Sequence, residues 1–304
     1  MKVVSLPGDP GIGARLASHL EAEHVTVFSK RFPDGEIYLR IPQDVSSEDA
    51  LVVQSMYPAQ GDRLVELLLA LELLNRYGNR VSVLITYLAY ARQDKEFLRG
   101  EPISLFSVVR ALRAQGMDSL VTIDAHNPLA VKEAVGDVRY LNLLPGEVFA
   151  EALLERYGDV RLTVVAPDQG AAERAALLAS RLGCDYVVVR KFRDRITGQV
   201  SHAFGNLDGV SGTAVVVDDI ISTGGTIAGI ASYLRSRGVD VVVAASHALL
   251  VGDAYEKLLR AGVREIYAVP TIPQTFPGVV YVDIVPYLAR KLREEGLLDR
   301  GRAS

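Results

Sequence analysis

Tryptophan is absent from the 304 residues and cysteine occurs once, as Cys184. A single thiol can form neither an intramolecular disulfide nor a cysteine-based metal cage, and it fits a reducing compartment. No apolar run approaches the roughly 18 residues of a membrane span. At the amino end, Met1-Lys2-Val3-Val4-Ser5-Leu6-Pro7-Gly8 is too short an apolar run for a secretion signal, and Pro and Gly interrupt it. An excess of positive charge is missing too. The 33 Lys and Arg face 37 Asp and Glu, for a net charge of −4 and a pI near 5.8. No global basic surface for nucleic acid is expected, although a local basic site for phosphates is compatible with these totals. The expectation is a cytoplasmic protein with neither a nucleic-acid nor a membrane partner.

What is present is the balance of a globular protein, 49% hydrophobic and 23% charged. At roughly 150 residues per domain the length points to two domains. Short apolar, β-branched runs predict strands at Val25–Ser29, Ala50–Gln54, Val81–Tyr87, Ser119–Asp124, Leu162–Ala166, Tyr186–Arg190, Ala214–Asp219, Val239–Ser246 and Glu265–Val269. Between them, segments such as Leu64–Arg76, Leu105–Gln115 and Glu147–Tyr157 carry helical period. Strands that are apolar almost throughout and alternate with helices predict an α/β fold with mostly parallel sheets covered on both faces. Asn142 and Pro145 interrupt the pattern, so a boundary is expected near Leu141–Pro145, between two similar doubly wound units. The predicted division is 1–142, 143–288 and a charged C-terminal helix, 289–304, that packs back on the first domain.

The most informative segment is Val215-Val216-Val217-Asp218-Asp219-Ile220-Ile221-Ser222-Thr223-Gly224-Gly225-Thr226. A buried strand ends in two carboxylates and gives way to a Ser-Thr-Gly-Gly-Thr turn that opens a helix near Ile227. Ligands of open α/β sheets bind at the carboxyl ends of strands. Paired glycines let several backbone N–H groups turn toward one point, and a helix N-terminus adds partial positive charge. Ser222, Thr223 and Thr226 add hydroxyls, so the turn can cradle a phosphate while Asp218 and Asp219 accept hydrogen bonds from vicinal hydroxyls. The same residue types also cap ordinary βα turns, but the diacid and the Gly-Gly pair weigh against that reading. The segment closely resembles the phosphoribosyl pyrophosphate signature of the type I phosphoribosyltransferase fold. That signature identifies a ligand and leaves the reaction open.

Four further segments resemble ribose-phosphate pyrophosphokinases, and with the loop they span about residues 3 to 295. They are Arg31-Phe32-Pro33-Asp34-Gly35-Glu36, Tyr90-Ala91-Arg92-Gln93-Asp94-Lys95, Asp124-Ala125-His126, and Ala166-Pro167-Asp168-Gln169-Gly170 followed by Lys191-Phe192-Arg193. The resemblance implies two type I phosphoribosyltransferase-like domains, ATP on the N-terminal side and ribose 5-phosphate at the C-terminal loop. It implies ATP contacts from Arg92, Gln93 and Asp94, and from Phe32, Asp34, Gly35 and Glu36 reaching across from a neighbouring subunit. A homo-oligomer, at least a dimer, follows. For ribose 5-phosphate it implies Arg193, Asp218, Asp219, Ser222, Thr223, Gly224, Gly225 and Thr226. Mg²⁺ is the implied cofactor, held partly by His126 and Asp168, and Lys191 and Arg193 are the implied catalytic cations.

Read without the resemblance, Phe32–Glu36 is a Pro-Asp-Gly turn, His126 a structural histidine, and Arg190–Arg195 a solvated charged hairpin. A mobile loop is expected over Asp194–Gln199. Phosphate-loop kinases are excluded, since no Gly-x-x-x-x-Gly-Lys-Ser/Thr occurs. The run Gly8–Gly13 is not a dinucleotide fingerprint: its spacing is wrong, Pro10 sits inside it, and the next strand ends at Lys30 instead of an acid. The chain departs from the better-known members at Glu96–Ile103, which is less basic, at Ser222, and after His126, where Asn127-Pro128 follows. These departures look like the archaeal branch. A phosphoribosyltransferase or a non-catalytic partner subunit would be the rival readings.

Overall fold

The computed structural model describes residues 1–46, 49–193 and 200–297, with residues 190–193 and 200–203 described by backbone alone. The first stretch runs β1 (Lys2–Ser5), α1 (Ile12–Leu20), β2 (Glu23–Thr26), β3 (Phe28–Arg31), β4 (Ile37–Arg40), β5 (Ala50–Gln54) and α2 (Gln60–Arg76). It continues through β6 (Val81–Ile85), α3 (Ser104–Ala114), β7 (Ser119–Ile123), α4 (Pro128–Val135) and β8 (Arg139–Leu143). A second series follows: α5 (Gly146–Tyr157), β9 (Leu162–Ala166), α6 (Ala172–Leu182), β10 (Tyr186–Val188), β11 (Arg190–Arg193) and β12 (Val200–Ala203). It ends with β13 (Thr213–Ile221), α7 (Gly225–Arg235), β14 (Asp240–Ala248), α8 (Ala254–Arg260), β15 (Val263–Ala268), β16 (Val279–Tyr281) and α9 (Val285–Glu294).

Two compact units result. One comprises Met1–Leu143, Pro270–Gln274 and Ile284–Ser304; the other comprises Leu144–Val269 and Thr275–Asp283. Helix α9 lies against α1 within the first unit, and Arg293 there donates to the His19 carbonyl. Each unit holds a six-stranded, wholly parallel sheet, ordered β2-β1-β5-β6-β7-β8 in one and β10-β9-β13-β14-β15-β16 in the other. In both, the chain starts at the second position, steps outward once, then crosses back and proceeds the other way. An antiparallel hairpin, β3–β4 or β11–β12, is inserted at the same point of each course.

Burial explains why these runs are strands. Every residue of β5, β6, β7 and β9 is buried, as expected where helices cover both faces. The edge strands β2 and β16 alternate or fray toward solvent instead. Several limits differ from expectation. The predicted strand Val25–Ser29 is two strands separated at Val27, the second belonging to the hairpin. Strand β13 continues past Asp219 to Ile221 because Ile220 and Ile221 still pair with His247 and Ala248 of β14. Helix α9 starts at Val285, ahead of the expected amphipathic tail, with Pro286 in its first turn, where the missing N–H costs nothing. No helix among the described residues is long and apolar enough to cross a membrane.

Candidate active site

In the second unit the strand order reverses between β9 and β13, and both strands deliver acids at their carboxyl ends. Asp168 follows β9 directly; its Oδ1 accepts the Gly170 N–H at 2.9 Å, which pins the carboxylate over the turn into α6. Asp218 and Asp219 lie inside the paired part of β13 and are therefore held by the sheet. Asp218 Oδ1 accepts the Asp219 N–H at 3.0 Å, and Asp219 Oδ1 accepts the Ile220 N–H at 2.9 Å. Burial, followed by the adjacent Asp219 carboxylate, pushes the Asp218 carboxyl well above the usual carboxylate range. Arg174 of α6 reaches this group from below. Its guanidinium is 10% exposed, stands 3.9 Å from Asp219 Oδ2, and donates to the Gly170 carbonyl at 3.0 Å. One cation thus links the Asp168 turn to the diacid.

Past β13 the loop closes into α7 two residues earlier than expected, at Gly225. Gly224 makes this possible, with φ of 71°, a conformation a side chain would strain. A Cβ there would also come within 3.3 Å of Leu258. Among the described residues no side chain caps the α7 N-terminus, so its first N–H groups and dipole point into the Ser222–Thr226 loop. The loop itself is tied down from β14's side: the Leu250 N–H donates to the Ile221 carbonyl at 2.9 Å and the Val251 N–H to Ser222 at 3.0 Å. Lys257 Nζ of α8 donates to the Thr223 carbonyl at 2.9 Å, bringing a cation to the rim. Rigid backbone, open donors and a nearby cation make an anion cradle beside three carboxylates.

Neither Arg174 nor Lys257 was singled out from the sequence. For Arg174 a signal existed: it stands four residues after Gly170, one helical turn, within reach of that carbonyl. Lys257 has none, because only the packing of α8 beside α7 brings it to Thr223. His247, considered as a strand-end residue, is buried in β14 opposite Ile220.

The first unit presents the other segments. Phe32–Gly35 forms the turn of the β3–β4 hairpin, with the Gly35 N–H on the Phe32 carbonyl at 2.9 Å, the Glu36 N–H on Asp34 Oδ1 at 3.2 Å, and Gly35 at φ 101°. Phe32 packs edge-on to Tyr38 at 5.8 Å and Phe28 to Tyr38 at 6.3 Å, with Lys30 Nζ 4.8 Å from the Phe32 centroid. All three rings are exposed. Two contacts fix the hairpin to α2: an Arg31–Asp62 ion pair and a hydrogen bond of 3.4 Å from the Ser29 hydroxyl to Glu66.

Arg92, Gln93 and Asp94 follow β6. Arg92 is exposed, while Gln93 Oε1 accepts from the Ser104 hydroxyl at 2.6 Å and Asp94 accepts from the Asn127 amide. Asp124 closes β7 at φ 44° and is buried, and His126 beyond it is exposed.

Lys191 and Arg193 fall on the backbone of β11, opposite His202 and Val200 of β12. Their side chains, and the loop 194–199, lie outside the described residues.

Among the described residues no three His, Cys, Asp or Glu side chains cluster tightly enough to hold a metal. The donor set still fits Mg²⁺. Asp168, Asp218 and Asp219 are hard oxygen ligands at one sheet edge, and Mg²⁺ is usually held by one or two carboxylates with substrate phosphates and water completing the shell. Burial first and the neighbouring Asp219 carboxylate second raise the Asp218 carboxyl. His126 is the poorer donor for this ion.

Comparison with known proteins finds relatives along nearly the whole chain. Residues 1–116 match the N-terminal domain of ribose phosphate pyrophosphokinase, and residues 146–283 match the phosphoribosyl transferase domain. The ribose-phosphate pyrophosphokinase of Sulfolobus acidocaldarius is 39% identical over 289 residues, covering 92% of this chain and 96% of that one. That of Mycobacterium leprae is 33% identical over 297 residues, covering 93% and 89%. The crystal structure of phosphoribosylpyrophosphate synthetase from Mycobacterium smegmatis matches with a TM-score of 0.86 at 30% identity, over 99% of both chains.

Proposed function

The chain belongs to the ribose-phosphate pyrophosphokinase family, and on that premise we propose how its two units divide the work. The enzyme transfers the β,γ-diphosphate of ATP to the C1 hydroxyl of ribose 5-phosphate, giving phosphoribosyl pyrophosphate and AMP. The observation that carries the assignment of roles is the uncapped α7 N-terminus above Ser222–Thr226, beside Asp218 and Asp219.

Ribose 5-phosphate seats its phosphate on Ser222, Thr223, Gly224, Gly225 and Thr226, and its ring hydroxyls donate to Asp218 and Asp219. The first unit is the ATP side. Arg92, Gln93 and Asp94 bind the nucleotide, joined by Phe32, Asp34, Gly35 and Glu36 from a neighbouring copy. A homo-oligomer of at least two chains follows, and the exposed, α2-anchored hairpin is the feature that supports it. His126 in the first unit and Asp168 in the second are the candidate Mg²⁺ ligands, and the metal when bound would supply charge neutralisation to the phosphates. With both substrates seated, the ribose C1 oxygen bonds to the β-phosphorus as the bond from that phosphorus to the bridging oxygen of AMP breaks. Transfer of this kind depends on positioning and on neutralising charge more than on covalent help. Lys191 and Arg193 provide that neutralisation at the β-phosphate, and Arg193 also contacts ribose 5-phosphate. The single cysteine fits a cytoplasmic setting.

Phosphorus NMR of the purified protein with ribose 5-phosphate, ATP and Mg²⁺ tests the assignment. Phosphoribosyl pyrophosphate and AMP should appear together. Binding of added phosphoribosyl pyrophosphate without its formation would replace this reading with a transferase or a silent subunit.

A further inference from the structure

We infer that Asn127 is a positioning residue for ATP: its side-chain amide holds Asp94 in the binding geometry while its carbonyl caps α4. The inference rests on the reading of Arg92–Asp94 as the nucleotide segment. Asn127 sits at the N-cap of α4 in extended conformation, φ −135° and ψ 91°, and its Oδ1 accepts the Ala130 N–H at 3.2 Å. Capping uses only that oxygen, and Asp, Ser or Thr would serve as well. The amide nitrogen does something capping does not require, donating to Asp94 Oδ2 across a sequence separation of 33 residues.

A neutral amide donor fixes the position of the Asp94 carboxylate without setting a second charge beside it. The other end of the segment is held separately. Tyr90 turns at φ 64°, the Gln93 N–H donates to the Tyr90 carbonyl at 3.1 Å, and the Leu105 N–H donates to the Gln93 carbonyl at 3.3 Å. Without the Asn127 amide, Asp94 would lose the hydrogen bond that ties its side chain to the start of α4.

Asn127 also follows His126 directly. On the far side of that histidine, Asn142 Oδ1 accepts the Ala125 N–H and the Thr122 hydroxyl, each at 2.8 Å. His126 is therefore suspended between two anchored neighbours, and the second anchor is the same residue that holds Asp94.

Two substitutions separate positioning from capping. Asn127→Ser and Asn127→Asp both keep an acceptor for the Ala130 N–H; the aspartate has no donor for Asp94, and the shorter serine draws its hydroxyl back from the place of the amide nitrogen. Steady-state kinetics, ATP affinity by calorimetry, and melting temperature are measured for each. In the serine variant, the KM and Kd for ATP should rise about tenfold, the effect of losing a hydrogen bond to a charged group. The aspartate variant, which sets like charges face to face, should rise further. The KM for ribose 5-phosphate and the serine variant's melting temperature should stay at wild-type values. ATP constants within twofold of wild type in both variants would overturn the inference, and so would a joint shift of both KM values with stability. An Asp94→Ala enzyme with wild-type ATP affinity would overturn the nucleotide reading of the segment, and the inference with it. A raised value there with unmoved Asn127 variants would sink the inference alone.

Discussion

Where the strand order reverses, the first unit sets β1 beside β5 and the second sets β9 beside β13. One topology therefore offers two binding crevices, and the chain fills one of them with its own side chains. In the first unit, Asp9 accepts the Ile12 and Gly13 N–H groups, each at 2.9 Å, and the Ser5 hydroxyl at 2.6 Å, so the start of α1 is already satisfied. Gln54 Oε1 takes the Gly8 N–H at 2.7 Å, and a Cβ on Gly8 would lie 2.4 Å from the Ser55 carbonyl. Behind it, Glu66 is gripped by Gln54 at 2.9 Å and by Arg63 at 2.8 Å. In the second unit the counterpart of β5 is β13, and the loop after it carries Gly224 and Gly225 at the start of α7. The same strand order thus occurs twice, and the candidate anion site lies at the glycine-bearing loop of the second unit.

The largest effect should come from the hairpin of the open unit. Lys191→Ala is expected to lower kcat by about 10³-fold, the scale of a cation acting on a transferring phosphoryl group, with the Kd for ribose 5-phosphate nearly unchanged. Turnover like wild type in that variant would remove Lys191 from the chemistry. Next comes the plug of the closed unit. Glu66 is 4% exposed, and Glu66→Ala strands the Arg63 guanidinium and the Gln54 amide. Breaking such a buried pair costs about 3 kcal/mol, to be read by chemical denaturation, while the KM for ribose 5-phosphate holds. A changed KM with intact stability would mean that the first crevice binds substrate and that the contrast between the units is wrong.

How much of this was legible in the sequence follows the same contrast. The open crevice was readable because its parts are consecutive: Asp218 through Thr226 carry diacid, hydroxyls and glycines on one strand and turn. The α/β architecture was readable because strands such as Ala50–Gln54 and Leu162–Ala166 are apolar throughout and end abruptly. The plug was not. Asp9, Gln54, Arg63 and Glu66 are unremarkable in sequence, and their meaning arises only when parallel pairing sets β1 against β5. The same holds for Arg174 on Asp219, Lys257 on Thr223 and Asn127 on Asp94, each a contact between elements with no local pattern. Strand limits failed for a related reason, since the end of β13 is decided by its partner β14 rather than by its own composition.

The smallest effect sharpens the comparison most directly, because it sets an acid in one crevice against an acid in the other. The Asp218 carboxyl is pushed up by burial and by Asp219. A carboxyl raised in the folded state favours folding fully at acid pH, and that contribution is lost as pH rises through the raised value. Toward neutral pH the ligand-free protein therefore folds with less of that contribution than it has in acid. Asp218→Asn removes the charge and should raise the melting temperature by a few degrees at neutral pH. The gain should vanish below about pH 4, where the wild-type carboxyl is protonated folded or unfolded, and ribose 5-phosphate binding should weaken at every pH. Asp9 carries three donors on its carboxylate, so its removal should destabilise the fold. Asp9→Ala removes a helix cap and should cost about 1 kcal/mol without altering either substrate's KM. A destabilised Asp218→Asn would mean that this acid serves the fold as Asp9 does. The second crevice would then be partly filled as well, and binding would have to displace an internal contact instead of meeting an open site.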